Sequence, residues 1–128
     1  MRLLLDSHVL LWQLSADPRL GARARAAIES AENEAWVSAA TVWELEIKAK
    51  LGKLAPPAEL LPTLLDAGAV PLAISAEHAQ HAARLPLHHA DPFDRMLVAQ
   101  AQLEGMAILS ADPAIGRYDV HVLDAGVG

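Results

Sequence analysis

Short, almost wholly apolar runs alternate along this chain with longer stretches of helical period, which points to an α/β architecture whose mainly parallel sheet is buried on both faces. Strands are expected over residues 2–5, 35–38, 69–74, 106–109 and 120–123. Helices are expected over 8–14, 18–31, 39–51, 57–67, 76–84 and 92–104, with a short turn after Asp112. Gly105 closes the last long helix, and segments 54–57 and 85–89 read as loops that precede helices. No internal repeat or linker-like change of composition divides the 128 residues, so one domain is the economical reading.

Composition narrows the chemistry. With 53% hydrophobic residues and only Trp12, Trp36, Trp43, Phe93 and Tyr118 as aromatics, the core should be aliphatic. The absence of Cys removes disulfides, thiolate nucleophiles and finger-type zinc sites, and it suits a reducing compartment, so a cytoplasmic location is expected. The opening Leu3-Leu4-Leu5 is interrupted by Asp6 and His8 before a secretory core is complete. No run approaches the roughly 18 apolar residues of a membrane span, and a soluble protein is expected. Ten Lys plus Arg against sixteen Asp plus Glu give a net charge of -6, which argues against a nucleic-acid binder held by a basic surface.

In parallel sheets, ligands bind beyond the carboxyl ends of the strands, and acidic residues fall there repeatedly. Asp6 follows the first strand directly; its ordinary role, or that of Ser7, is to cap the next helix. Glu44 shares a helical stripe with Ala40, Ile47 and Leu51, which turns it toward the sheet. Thr41 to Glu44 also matches a capping box, and Glu44 to Lys48 an ion-pair spacing. Asp94 begins the stripe of Leu97, Val98 and Ala101, and Asp91-Pro92 before it is an N-cap followed by proline. Asp112 follows the fourth strand, where Asp-Pro is again a cap pattern. If the sheet is parallel, Asp6, Glu44, Asp94 and Asp112 converge on one edge. Such a cluster repels itself unless a divalent cation neutralises it.

Oxygen ligands without Cys favour a hard cation such as Mg²⁺, which binds through a few carboxylates, waters and a substrate phosphate. That chemistry suits phosphodiester hydrolysis. The six His form no zinc-protease pair; His78 and His81 lack a nearby third ligand. His88 and His89 are expected in solvent or against a nucleic-acid backbone, and neither is taken as a base. Ser7 can hydrogen-bond a metal-bound water or a phosphate. Cations near the acids are few: Lys48, Lys50 and Lys53 on one helix end, and Arg95 beside Asp94.

The combination of strand-Asp6-Ser7-His8, the Val42-Trp43-Glu44 run with Ile47-Lys48 and Leu51-Gly52-Lys53-Leu54, and Leu85-Pro86-Leu87-His88-His89-Ala90-Asp91-Pro92-Phe93-Asp94-Arg95 resembles the PIN-domain family. Within it the chain is similar to VapC-type toxins of bacterial toxin-antitoxin modules, over essentially its whole length. The resemblance implies a three-layer α/β/α fold and Mg²⁺- or Mn²⁺-dependent endoribonuclease activity. It further implies neutralisation by a cognate antitoxin, and frequent homodimerisation. By position, Asp6, Glu44 and Asp94 match the family's core acids and Asp112 its more variable fourth; Asp91 is an extra acid, and Ser7 and Arg95 are accessory candidates. The chain departs from many relatives in having Ser7 where they carry Thr, and Ser110-Ala111 where they often carry Thr-Arg. A haloacid-dehalogenase-type phosphatase needs a second Asp where this chain has His8. The alternative of another class is a non-enzymatic acidic binding module, receiver-like or a degenerate PIN domain that serves as a partner surface.

Overall fold

The computed structural model describes residues 1–54 and 59–126. Five strands, β1 (Arg2–Leu5), β2 (Glu34–Ser38), β3 (Val70–Leu72), β4 (Ala107–Ser110) and β5 (Val122–Asp124), form one sheet in the order β3-β2-β1-β4-β5. Every pairing is parallel. β1 is central, with Leu4 in register with Trp36 on one side and Ile108 on the other. The helices are α1 (Ser7–Leu14), α2 (Ala22–Glu29), α3 (Ala39–Lys50), α4 (Leu60–Asp66), α5 (Ala76–Arg84) and α6 (Pro92–Glu104), followed by a 3-10 turn, Ile115–Arg117.

The unbroken apolar character of β1 has a direct cause, since successive strand residues point to opposite faces and both faces are covered. Leu3 and Leu5 join Val9 and Leu10 of α1, Ala24 of α2, Leu45 of α3, and Leu60 and Leu64 of α4 in one core. Leu4 and Ile108 join Ala82 of α5 and Leu97, Val98 and Ala101 of α6 in the other. The result is the expected three-layer α/β/α arrangement, in which every strand delivers the chain to the same edge.

Local signals explain most boundaries. Ser75 caps α5 in a reciprocal box with His78, and Asp91 caps α6 with Pro92 at its first turn. Gly105 ends α6 at φ 67°, a left-handed conformation that suits glycine. The helix expected over 18–31 is shorter, beginning at Ala22, because the Asp17 carboxylate accepts from the Arg19 N–H at 2.9 Å and folds the chain into a turn. Gly21 is then tied by its N–H to the Ala125 carbonyl at 2.8 Å. The strand expected over 69–74 contracts to Val70–Leu72 at the sheet edge, with Pro71 in its middle. The expected start of the 57–67 helix, and the 55–57 part of the loop before it, lie outside the described residues; the helix is seen from Leu60 to Asp66. The remaining shifts are of one or two residues: α1 starts at Ser7, β4 ends at Ser110, and β5 runs from Val122 to Asp124.

No added Cβ at Gly105 would clash, the nearest atom being Arg2 Nη2 at 4.0 Å, so the cost of a substitution there is conformational. Gly105→Ala is expected to destabilise the protein by about 1 kcal/mol without altering the fold, as read from urea unfolding monitored by tryptophan fluorescence.

Candidate metal centre

The sheet edge gathers four acids from four segments. Asp6 leaves β1 into α1 and is 3% exposed; its Oδ1 accepts from the Val9 N–H at 2.9 Å. Glu44 lies in α3 at 4% exposure, with Lys48 Nζ 2.8 Å from Oε2. Asp94 stands in the first turn of α6, and Asp112 follows β4, where its Oδ1 accepts from the Ala114 N–H at 2.9 Å. Each of Asp6, Glu44 and Asp112 thus commits one oxygen to a cap or ion pair. The Thr41 capping box does not form: α3 begins at Ala39 with Ser38 as cap, and Thr41 is a buried residue inside the helix. Asp6 rather than Ser7 caps α1, and Ser7 is buried at that helix's first position.

His89, set aside in the sequence reading, lies among the acids. Its Nε2 is 3.0 Å from Asp94 Oδ2 and 3.0 Å from Asp112 Oδ2, so one imidazole joins α6 to the end of β4. Its Nδ1 accepts from the Asp91 N–H at 3.3 Å, which fixes the ring and leaves Nε2 to carry the proton toward the carboxylates. The sequence signal was the position of His89 just before an N-cap, but nothing in the periodicity told which way its ring turns.

Asp91 does what its Asp-Pro context foretold, accepting at Oδ1 from the N–H groups of Phe93 at 2.8 Å and Asp94 at 3.3 Å. Arg95 is 9% exposed and its guanidinium meets backbone rather than acids. Nη1 donates to Pro86 O at 3.0 Å and His89 O at 3.3 Å, and Nη2 to Ala82 O at 2.9 Å and Leu85 O at 3.0 Å. Tyr118 completes this clasp: its hydroxyl donates to Pro86 O at 2.8 Å and accepts from the His89 N–H at 3.0 Å. Arg95 therefore shapes the segment that presents His89.

The electrostatics follow from this crowding. Burial raises the pKa of Asp6, opposed by hydrogen bonds from Ser110 and the Val9 N–H and by nearby His8, and reinforced by the charge of Asp112. Asp94 is pushed up to about 7, first by burial and then by Asp91, with Glu44 and Asp6 adding to the rise and His89 opposing it. These mutual effects tie all four acids into one field. A cleft of about 410 Å³ opens beside Asp6 and Asp112. Carboxylate oxygens of Asp94 and Asp112 lie within 4.8 Å of one another beside His89 Nε2, a spacing that one small divalent cation can bridge. The donor set, carboxylate oxygens without sulfur, fits Mg²⁺ or Mn²⁺.

The PIN domain profile matches residues 3–120. The chain belongs to the PIN domain family. No curated protein sequence matches it. Among solved structures it is similar to VapBC2 from Rickettsia felis bound to a promoter DNA fragment, at TM-score 0.72 and 13% identity, covering 96% of this chain and 98% of that one. It is similar to DNA-bound VapBC from Salmonella typhimurium at TM-score 0.71 and 16% identity, covering 97% and 98% of the two chains. A toxin-antitoxin complex from Klebsiella pneumoniae matches at TM-score 0.68 and 19% identity, covering 98% of each chain. At these identities the likeness is one of fold. The family assignment and the parallel PIN-like sheet agree with the sequence reading. No helix among the described residues is long and apolar enough to cross a membrane.

Two outcomes follow from this geometry. The carboxyl of Asp94 has a folded-state pKa above its unfolded value, so between about pH 4 and 7 the native state holds a proton the unfolded chain has released, and stability falls as pH rises through that window. In metal-free buffer Asp94→Asn should be more stable than wild type at pH 8, by roughly 1–2 kcal/mol after allowance for partial exposure, and lose that advantage near pH 4; thermal melts at the two pH values with EDTA present measure it. Arg95→Met strands several buried carbonyls and is expected to cost about 3 kcal/mol or more in denaturant unfolding.

Proposed function

We propose that the chain is a metal-dependent endoribonuclease, the toxin of a bacterial toxin-antitoxin module, acting in the cytoplasm on RNA phosphodiester bonds. The observation that carries this reading is the convergence of Asp6, Glu44 and Asp94, with Asp112 and His89, on one edge of a parallel PIN sheet. A fold core gains nothing from such a gathering of like charge, whereas a divalent cation is held by it and can in turn attract a phosphate.

In this reading Asp6, Glu44, Asp94 and Asp112 hold Mg²⁺ or Mn²⁺ through the oxygens left free of caps. When bound, a divalent ion supplies positive charge to the phosphate and makes water a better nucleophile. The protein's own part is positioning. The Asp6 cap fixes its carboxylate to the start of α1, Lys48 holds Glu44 to its rotamer, and the imidazole of His89 keeps Asp112 and Asp94 together before an ion arrives. Local neutralisation at this edge also answers the net charge of -6, since attraction for the substrate is needed where it reacts rather than over the whole surface. An antitoxin as inhibitory partner and a second copy as dimer partner belong to the same proposal, as does the unity of the chain as a single PIN domain.

A non-enzymatic acidic module is the competing reading, and the outcomes differ. Purified protein freed of partner and incubated with total cellular RNA is expected to give discrete cleavage in Mg²⁺ or Mn²⁺ and none in EDTA. Folded Asp6→Asn and Asp94→Asn proteins are expected to lose at least a hundredfold in rate, on the order of what removing a key catalytic electrostatic contact costs. Undiminished cleavage by either variant would remove the site assignment, and metal-loaded wild type inert toward every RNA would favour the binding module.

A further inference from the structure

The segment that presents His89 has a second face. Its Pro86 and His88 help wall a cavity of about 450 Å³ that none of the site acids lines, and whose rim carries His81, Arg84, Arg117 and Asp119 around Tyr118. Arg84 comes from the last turn of α5 and Arg117 from the 3-10 turn, segments far apart in sequence. Both residues are exposed, and neither guanidinium has an ion pair among the described residues.

The ordinary explanation for Arg84 is that a cation suits the negative end of a helix. That end is already served, because the carbonyls of Ala82 and Leu85 accept from the buried Arg95. Arg84 is left uncommitted, facing a cleft where two guanidiniums and two imidazoles meet one carboxylate, in a chain whose net charge is -6. The floor is firm: His88 packs edge-on against Tyr118 at 5.0 Å, and Tyr118 is anchored through its hydroxyl. Guanidiniums bind phosphate oxygens in a planar, bidentate manner that a lone ammonium does not match.

We propose that this cavity binds a backbone phosphate of the same RNA strand that crosses the acids, with Arg84 and Arg117 as its principal contacts. The proposal rests on the nuclease reading of the acid edge and adds to it the strand's path. His88 lines the cavity and its immediate neighbour His89 reaches Asp94 and Asp112, so one loop borders both the cavity and the acids. Binding here needs no metal, which separates it experimentally from cleavage.

The test is fluorescence anisotropy of a short labelled single-stranded RNA with the full chain in EDTA, across a salt series. Arg84→Glu/Arg117→Glu is compared with Arg23→Glu/Arg25→Glu on α2, which changes net charge equally, and with the milder Arg84→Gln/Arg117→Gln; circular dichroism verifies the fold of each. The cavity variants are expected to lose about tenfold or more in affinity at low salt, and their plot of log affinity against log salt to become shallower by about 0.7, the slope of one single-strand phosphate contact. The α2 variant should keep the wild-type slope. Equal behaviour of cavity and α2 variants overturns the cavity while leaving the nuclease reading intact, as does wild type that cleaves RNA in Mg²⁺ yet binds none in EDTA. Wild type that neither binds nor cleaves RNA overturns both.

Discussion

Carboxylates held together against their own repulsion set the terms for the rest of this molecule. The parallel sheet makes that possible, because five strands running one way bring every following segment out at the same edge. The two apolar layers over the sheet then supply the free energy needed to keep Asp6 and Glu44 buried there. Hydrogen bonds to caps, the Lys48 ion pair and the His89 bridge reduce the cost without removing it, as the raised pKa of Asp94 records. The site is thus preorganised for positive charge and incompletely satisfied without it.

Much of this was legible in the sequence, and the reason is periodicity. The inward phase of Glu44 on α3 and of Asp94 at the head of α6 followed from the spacing of their apolar neighbours, and the strand ends located Asp6 and Asp112. Cap and site are compatible roles for one acid, because a carboxylate has two oxygens: Asp112 caps with Oδ1 while its Oδ2 meets His89.

What was not legible depends on tertiary contacts between segments remote in sequence. Arg95, read beside Asp94 as an accessory to the site, turns instead to the carbonyls of residues 82, 85, 86 and 89, which no local pattern encodes. His89 enters the acids because that clasp and the Tyr118 hydroxyl fix its backbone. The Thr41 capping box satisfied a pattern, but Ser38 stood earlier at the strand end and took the helix start. Asp17 likewise takes the 18–21 segment into a turn by accepting from the Arg19 N–H two residues on.

The proline in β3 has a consequence for the molecule among its neighbours. An open sheet edge is a template on which another chain's strand can add, and repeated addition leads to fibrils. Here the edge strand is three residues long, and its middle residue, Pro71, has no N–H to offer an incoming chain. Growth of the sheet across that edge is therefore disfavoured, and association on that side is left to side-chain surfaces, whose shape can discriminate one partner from another.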